Sequence, residues 1–205
     1  MSDLNQVLAE ISAIRAQVAR GTQFRGYGPA SVAASGILAL AVAGAQEFWL
    51  KTAARDAASF LGIWVATAAV AVTLSALETV MRARRVHSGY AREMMQSALE
   101  QFLPAMMVGV MLTVVMFVSA PAERWMLPGL WQLIFSIGVF SSCRFLPRQM
   151  FGVGVWYLAC GLGCLAAQGG ARLFSPWEMG IPFGVGQLLV AAVLQYGFEE
   201  SGEDR

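Results

Sequence analysis

The sequence predicts an all-α polytopic membrane protein, a bundle of six transmembrane helices with an N-terminal amphipathic helix. Three observations predict it. The 205-residue chain is 57% hydrophobic, and its 14 basic and 13 acidic residues make up only 13% of it. A soluble domain carries about 25% charge. The few charges leave six uncharged windows, over 26–46, 57–77, 101–122, 125–143, 149–171 and 179–198. A helix of about 20 residues crosses the hydrocarbon core, which is about 30 Å thick, and each window has that length. Backbone groups in lipid find no water, so a span is a helix or a strand of a closed barrel. Runs such as AVTLSAL, MLTVVMFV and GQLLVAAVL lack the alternation of a barrel strand. The same scarcity of charge excludes a soluble enzyme, a disordered chain and a basic nucleic-acid binder.

Residues 1–25 form an amphipathic helix and a linker. Leu4, Val7, Leu8, Ile11, Ile14 and Val18 recur every three to four residues, with Asp3, Asn5, Gln6, Glu10, Arg15, Gln17 and Arg20 opposite them. Such a helix lies on the inner leaflet or against the bundle. The alternative is that residues 4–18 serve as a homodimer seam or a docking helix for a cytoplasmic partner. Gly21, Gly26, Gly28 and Pro29 turn the chain into the first span. The start, MSDLNQ, is polar and unlike a cleavable signal peptide.

Residues 26–198 form the six-helix transmembrane domain. Its prolines (Pro29, Pro104, Pro121, Pro128, Pro147, Pro176 and Pro182) all fall at or near the ends of the windows and none mid-span, which is read as a place where a missing N–H costs little. The stretch RARRVHSGYAREMMQSALEQ reads as a cytoplasmic loop between spans two and three. Arg82, Arg84 and Arg85 in it are a topology anchor or, alternatively, an anion-recognition site. His87 is the only histidine of the chain. One histidine supplies neither bis-histidine haem ligation nor a multi-histidine metal site. Residues 199–205 are an acidic cytoplasmic tail, either a solvated end or a docking site for a basic partner.

Basic residues set the orientation. With the N-terminus inside, ten of them (Arg15, Arg20, Arg25, Arg82, Arg84, Arg85, Arg92, Arg144, Arg148 and Arg205) are cytoplasmic. Only Lys51, Arg55, Arg124 and Arg172 are outside. Both termini are therefore predicted to be cytoplasmic. Trp49, Trp125 and Trp177 fall on the outer side, at headgroup level.

Catalysis lacks its parts. No histidine lies in a span, and no HExxH, GxGD, P-loop or CxxC pattern occurs. Cys160 and Cys164 lie one turn apart on one helix and read as small packing residues, with a soft-metal pair as the remote second reading. The expectation is a protein that is not an enzyme, with no cofactor and no metal. Near the window midpoints lie Ser35, Thr67, Thr113, Gln132, Ser136, Cys160 and Gln187. They either line a neutral polar cavity or hydrogen-bond between helices. Glu78, four residues before Arg82, is a neutralised acid at a helix end or a proton relay. Two stripes of small residues, Ser31–Ser35–Ala39–Ala43 and Ala159–Gly163–Ala167, serve intrachain packing or a dimer face.

The segments FRGYGPASVAASG, MLPGLWQLIFS, SSCRFLPRQM and SPWEMGIPFGVGQLLVA resemble an uncharacterised family of bacterial six-span inner-membrane proteins, over nearly the whole chain. The resemblance implies a bacterial cytoplasmic membrane. That family has no assigned activity, so it carries no functional residue over. Two functions remain: a membrane-embedded interaction or regulatory subunit, and a small transporter or channel for a neutral or amphiphilic solute. The missing mid-membrane charge favours the first.

Overall fold

A computed structural model of the chain describes residues 29–48, 57–85, 89–143, 146–167 and 175–203. Six α-helices account for most of them: α1 Pro29–Phe48, α2 Ala57–Arg85, α3 Gly89–Ser119, α4 Leu127–Ser142, α5 Met150–Ala167 and α6 Trp177–Glu203. A 3-10 turn, Pro121–Met126, leads from α3 into α4. Each helix supplies a segment long and apolar enough to cross a membrane: Pro29–Phe48, Ala57–Glu78, Glu100–Ser119, Pro121–Ser142, Met150–Ala167 and Trp177–Gln195. Every one overlaps an uncharged window. The protein is a multi-pass, all-α six-helix bundle. The amphipathic segment 3–20, His87, Lys51, Arg55, Arg144 and Arg172 lie outside the described residues.

The helices pack in the order α2–α1–α6–α5–α4–α3, and α1 on α6 is the most extensive pair. The first span therefore lies beside the last. Two apolar cores form at opposite ends of the bundle. At the Phe48 end, Ala39 and Ala43 of α1 meet Phe60, Leu61 and Trp64 of α2, Met116, Leu127 and Met179. At the Pro29 end, Val32 meets Val139, Met150, Val153, Tyr157, Ala191 and Leu194. That division requires neighbouring helices to run antiparallel. Outer faces of α2 and α3 stay uncovered, Val72, Leu77, Met111 and Val118 among them. Apolar side chains on such a face suit lipid tails.

Two expectations need correction. Pro104 and Pro182 stand inside α3 and α6 and are not at helix ends. A proline there removes one backbone hydrogen bond and frees the carbonyl four residues earlier. Donors on neighbouring helices make this tolerable in lipid, because they bond the freed carbonyl. The stretch read as a loop after span two is mostly helix: α2 runs on to Arg85 and α3 begins at Gly89. Its Ala, Arg, Met, Gln, Glu and Leu residues are strong helix formers. Charge-free windows stop at a charge, whereas a helix in water does not.

Candidate functional site

The polar residues near the membrane midplane are the site that the sequence nominates. Ser35 Oγ donates to Val32 O at 2.7 Å, within its own helix. Thr67 Oγ1 donates to Ile63 O at 2.8 Å, again within its helix. Thr113 Oγ1 donates to Gly109 O at 2.7 Å and accepts from Trp131 Nε1 of α4 at 2.8 Å. Ser136 of α4 is fully buried and donates to Gly154 O of α5 at 2.9 Å. Gln132, also fully buried, donates through Nε2 to Glu178 O of α6 at 2.7 Å. Gln187 packs over α1, where a Cβ on Gly36 would come within 3.1 Å of its own Cβ. Ser35, Thr67, Thr113, Gln132 and Ser136 thus bond along or between helices, each to a different partner.

Gln132 has a specific reason to be where it is. Pro182 has no N–H to donate to the Glu178 carbonyl four residues earlier in α6. A bare carbonyl in lipid costs several kcal/mol, roughly. The Gln132 amide answers it from the next helix but one in sequence. Cys164 Sγ of α5 lies 3.8 Å from the same carbonyl and 3.6 Å from Gln132 Nε2, which makes a three-helix polar knot. Arg124 repeats the device. Pro121 frees the Phe117 carbonyl at the end of α3, and Arg124 Nη2 donates to it at 2.7 Å. The guanidinium also lies 4.5 Å from the Phe117 ring centre.

Glu78 behaves similarly at the other end. Its Oε2 accepts from the Ser31 backbone N–H at 3.2 Å. Ser31 lies in the first turn of α1, whose N–H groups have no partner within the helix. A carboxylate there also meets the positive end of the helix dipole. Glu78 therefore joins the start of α1 to the end of the α2 span.

Aromatic rings fill the interior between these polar bonds. Phe135 of α4 lies 5.0 Å from Phe102 of α3, 4.6 Å from Tyr157 of α5 and 5.5 Å from Phe183 of α6, centre to centre. Such spacing gives well-packed ring pairs. Elsewhere glycine lets helices touch. Gly180 abuts Ala43, and a Cβ on Gly184 would come within 2.5 Å of Leu40. The small-residue stripe on α1 is thus a packing face toward α6, of the small-xxx-small kind. Ala159, Gly163 and Ala167 on α5 face outward, and nothing lies within 4 Å of where a Gly163 Cβ would stand.

Sequence reading missed three things. Gln46 is fully buried in α1 although it sits near a window's end. Arg124, read only as an outside charge, closes α3. The aromatic cluster carries no pattern along the chain, because its rings come from four helices. The Gln132 bond had a signal: a proline within a helix names the carbonyl four residues back as one that needs a donor. Among the described residues no group of three or more His, Cys, Asp or Glu side chains could hold a metal ion. No family model, curated protein sequence or solved structure matches the chain.

Proposed function

We propose that the protein is a membrane-embedded interaction or regulatory subunit of a bacterial cytoplasmic membrane, with both termini cytoplasmic, and not an enzyme. One observation carries the reading. Helices α2, α3 and α6 all continue past their membrane-length segments at the same end, through residues 79–85, 89–99 and 196–203. At about 1.5 Å per residue they rise roughly 10–16 Å above the spans. Arg82, Arg84, Arg85 and Arg92 lie on the first two extensions and Glu199, Glu200 and Glu203 on the third. A raised platform with both signs of charge suits a folded partner, since charge patterns select and orient partners. The balance of basic residues supports a cytoplasmic side for it. The transporter alternative drew on midplane polar groups, and five of them, Ser35, Thr67, Thr113, Gln132 and Ser136, are engaged in bonds along and between helices.

Photo-crosslinkers at Ala83 and Gln96, on two of the extensions, test the proposal in intact cells. Both positions should capture the same protein, and a lipid-facing probe at Val115 should not. Deleting residues 1–20 should weaken the capture if the amphipathic segment shares in docking. Lipid adducts alone at all three positions, with saturable solute uptake into proteoliposomes, overturn the proposal in favour of transport.

A further inference from the structure

Helix α2 packs on α1 and α3 packs on α4, but α2 and α3 are not a packed pair. Of residues 65–77 in α2, only Thr67, Ala71 and Ser75 are half-buried. They lie at helical spacing in line with Glu78, which bonds to α1. Of residues 103–111 in α3, only Ala105 and Gly109 are half-buried. A Cβ on Gly138 would come within 3.3 Å of Ala105, and one on Gly109 within 3.9 Å of Ile134, so both face α4. The rest of these two stretches is uncovered. Val65, Val72, Met107 and Met111 are each more than half exposed.

The space between the two helices is closed at both ends. At the Phe48 end, Phe60, Leu61 and Trp64 of α2 share an apolar cluster with Met116 of α3. At the other end α2 stops at Arg85 and α3 starts at Gly89. Four residue steps span at most ~14 Å when extended, and a link that reverses the chain spans less. A third helix between two others needs their axes about 16–20 Å apart, twice the usual packing distance. The slot is therefore too narrow for a partner's helix near the link, whereas a single hydrocarbon chain is much thinner. Its mouth is basic. Arg82, Arg84 and Arg85 lie in the last turn of α2 and Arg92 in the first turn of α3. No acid occurs from residue 79 to residue 92. Arginines beside a span attract anionic lipid, and guanidinium groups pair well with phosphate.

We infer that the slot between α2 and α3 binds one anionic phospholipid, with an acyl chain in the slot and its phosphate on the arginines at the helix link. Val65, Ala68 and Val72 continue the line of the buried Leu61 at helical spacing and form the α2 wall. The site lies within the membrane, below the docking platform, and does not depend on a protein partner.

The test uses the full chain, purified alone in mild detergent. It is titrated with phosphatidylglycerol or phosphatidylcholine of matched acyl chains and weighed by native mass spectrometry. One phosphatidylglycerol per chain should be retained, and phosphatidylcholine should not. Arg82→Gln combined with Arg85→Gln should weaken retention about 25-fold, at roughly fivefold for each charge. Ala68→Trp fills the slot and leaves the arginines intact, so it should also weaken retention. Ala159→Trp, on the outward face of α5, should not. Ala68→Leu repeats the slot test if the Trp variant lowers Tm. Equal retention of the two lipids overturns the inference. A loss confined to the arginine variant also overturns it, because that is the result for a headgroup held at the surface with no seat for its chain.

Discussion

The Gln132 side-chain amide donates at 2.7 Å to the Glu178 backbone carbonyl, the group to which Pro182, four residues on, has no N–H to donate. The two residues are thus coupled through a proline that touches the chemistry only by lacking a proton. Replacing Gln132 with Leu should cost about 1–3 kcal/mol, because a buried carbonyl then loses its donor. Pro182→Ala restores an N–H within α6. In that background the same Gln132→Leu change should cost clearly less, read as detergent-solubilised unfolding of the four proteins in a double-mutant cycle. Equal costs in both backgrounds contradict the assignment.

Glu78 makes a second prediction. As an acceptor for the Ser31 N–H it should behave like a helix cap, so Glu78→Ala should lose about 1 kcal/mol. Glu78→Gln keeps an acceptor oxygen and should lose less. A proton relay would respond differently, since Gln and Ala both abolish proton transfer. Thermal unfolding of the two variants distinguishes the cases.

Much of the fold was legible because lipid imposes a simple rule: no charge for about 20 residues. Each uncharged window overlaps a span of the structure. The α2 and α3 extensions were not legible, because Arg82 and Arg92 interrupt hydropathy without interrupting a helix. Helix order was not legible either, since nothing in a hydropathy profile says that α1 should lie on α6. That pairing depends on small residues meeting, such as Ala43 against Gly180. The sequence reading put Gln132 and Ser136 among the mid-window groups that line a cavity or bond between helices, but their partners are backbone carbonyls, which every residue has and no motif marks.

Glycine positions separate packed from open faces. Gly180→Leu places a side chain into Ala43 and should cost about 1–3 kcal/mol or more. Gly163→Leu enters open space and should leave Tm within error or raise it slightly, since leucine favours helix over glycine. Ala43→Gly should partly rescue Gly180→Ala, because it returns the missing volume across the same contact.

Orientation is open to direct measurement. Alkaline phosphatase fused after Arg55 or Arg172 should be active, and fused after Arg85 it should be inactive. The reverse pattern would place the helical platform outside the cell and remove the proposed site of a cytoplasmic partner.

The central claim is that the polar residues at mid-membrane hold helices together and line no water-filled path. Cysteine accessibility at position 136 tests it most directly. Ser136→Cys is a small change at a fully buried position, made with Cys143, Cys160 and Cys164 replaced by Ser. A charged, membrane-impermeant thiol reagent applied from either side should leave position 136 unlabelled while it labels Arg55→Cys, between the first two uncharged windows. Labelling at position 136 at a rate near that of the loop control contradicts the account, because the reagent reaches it only through water.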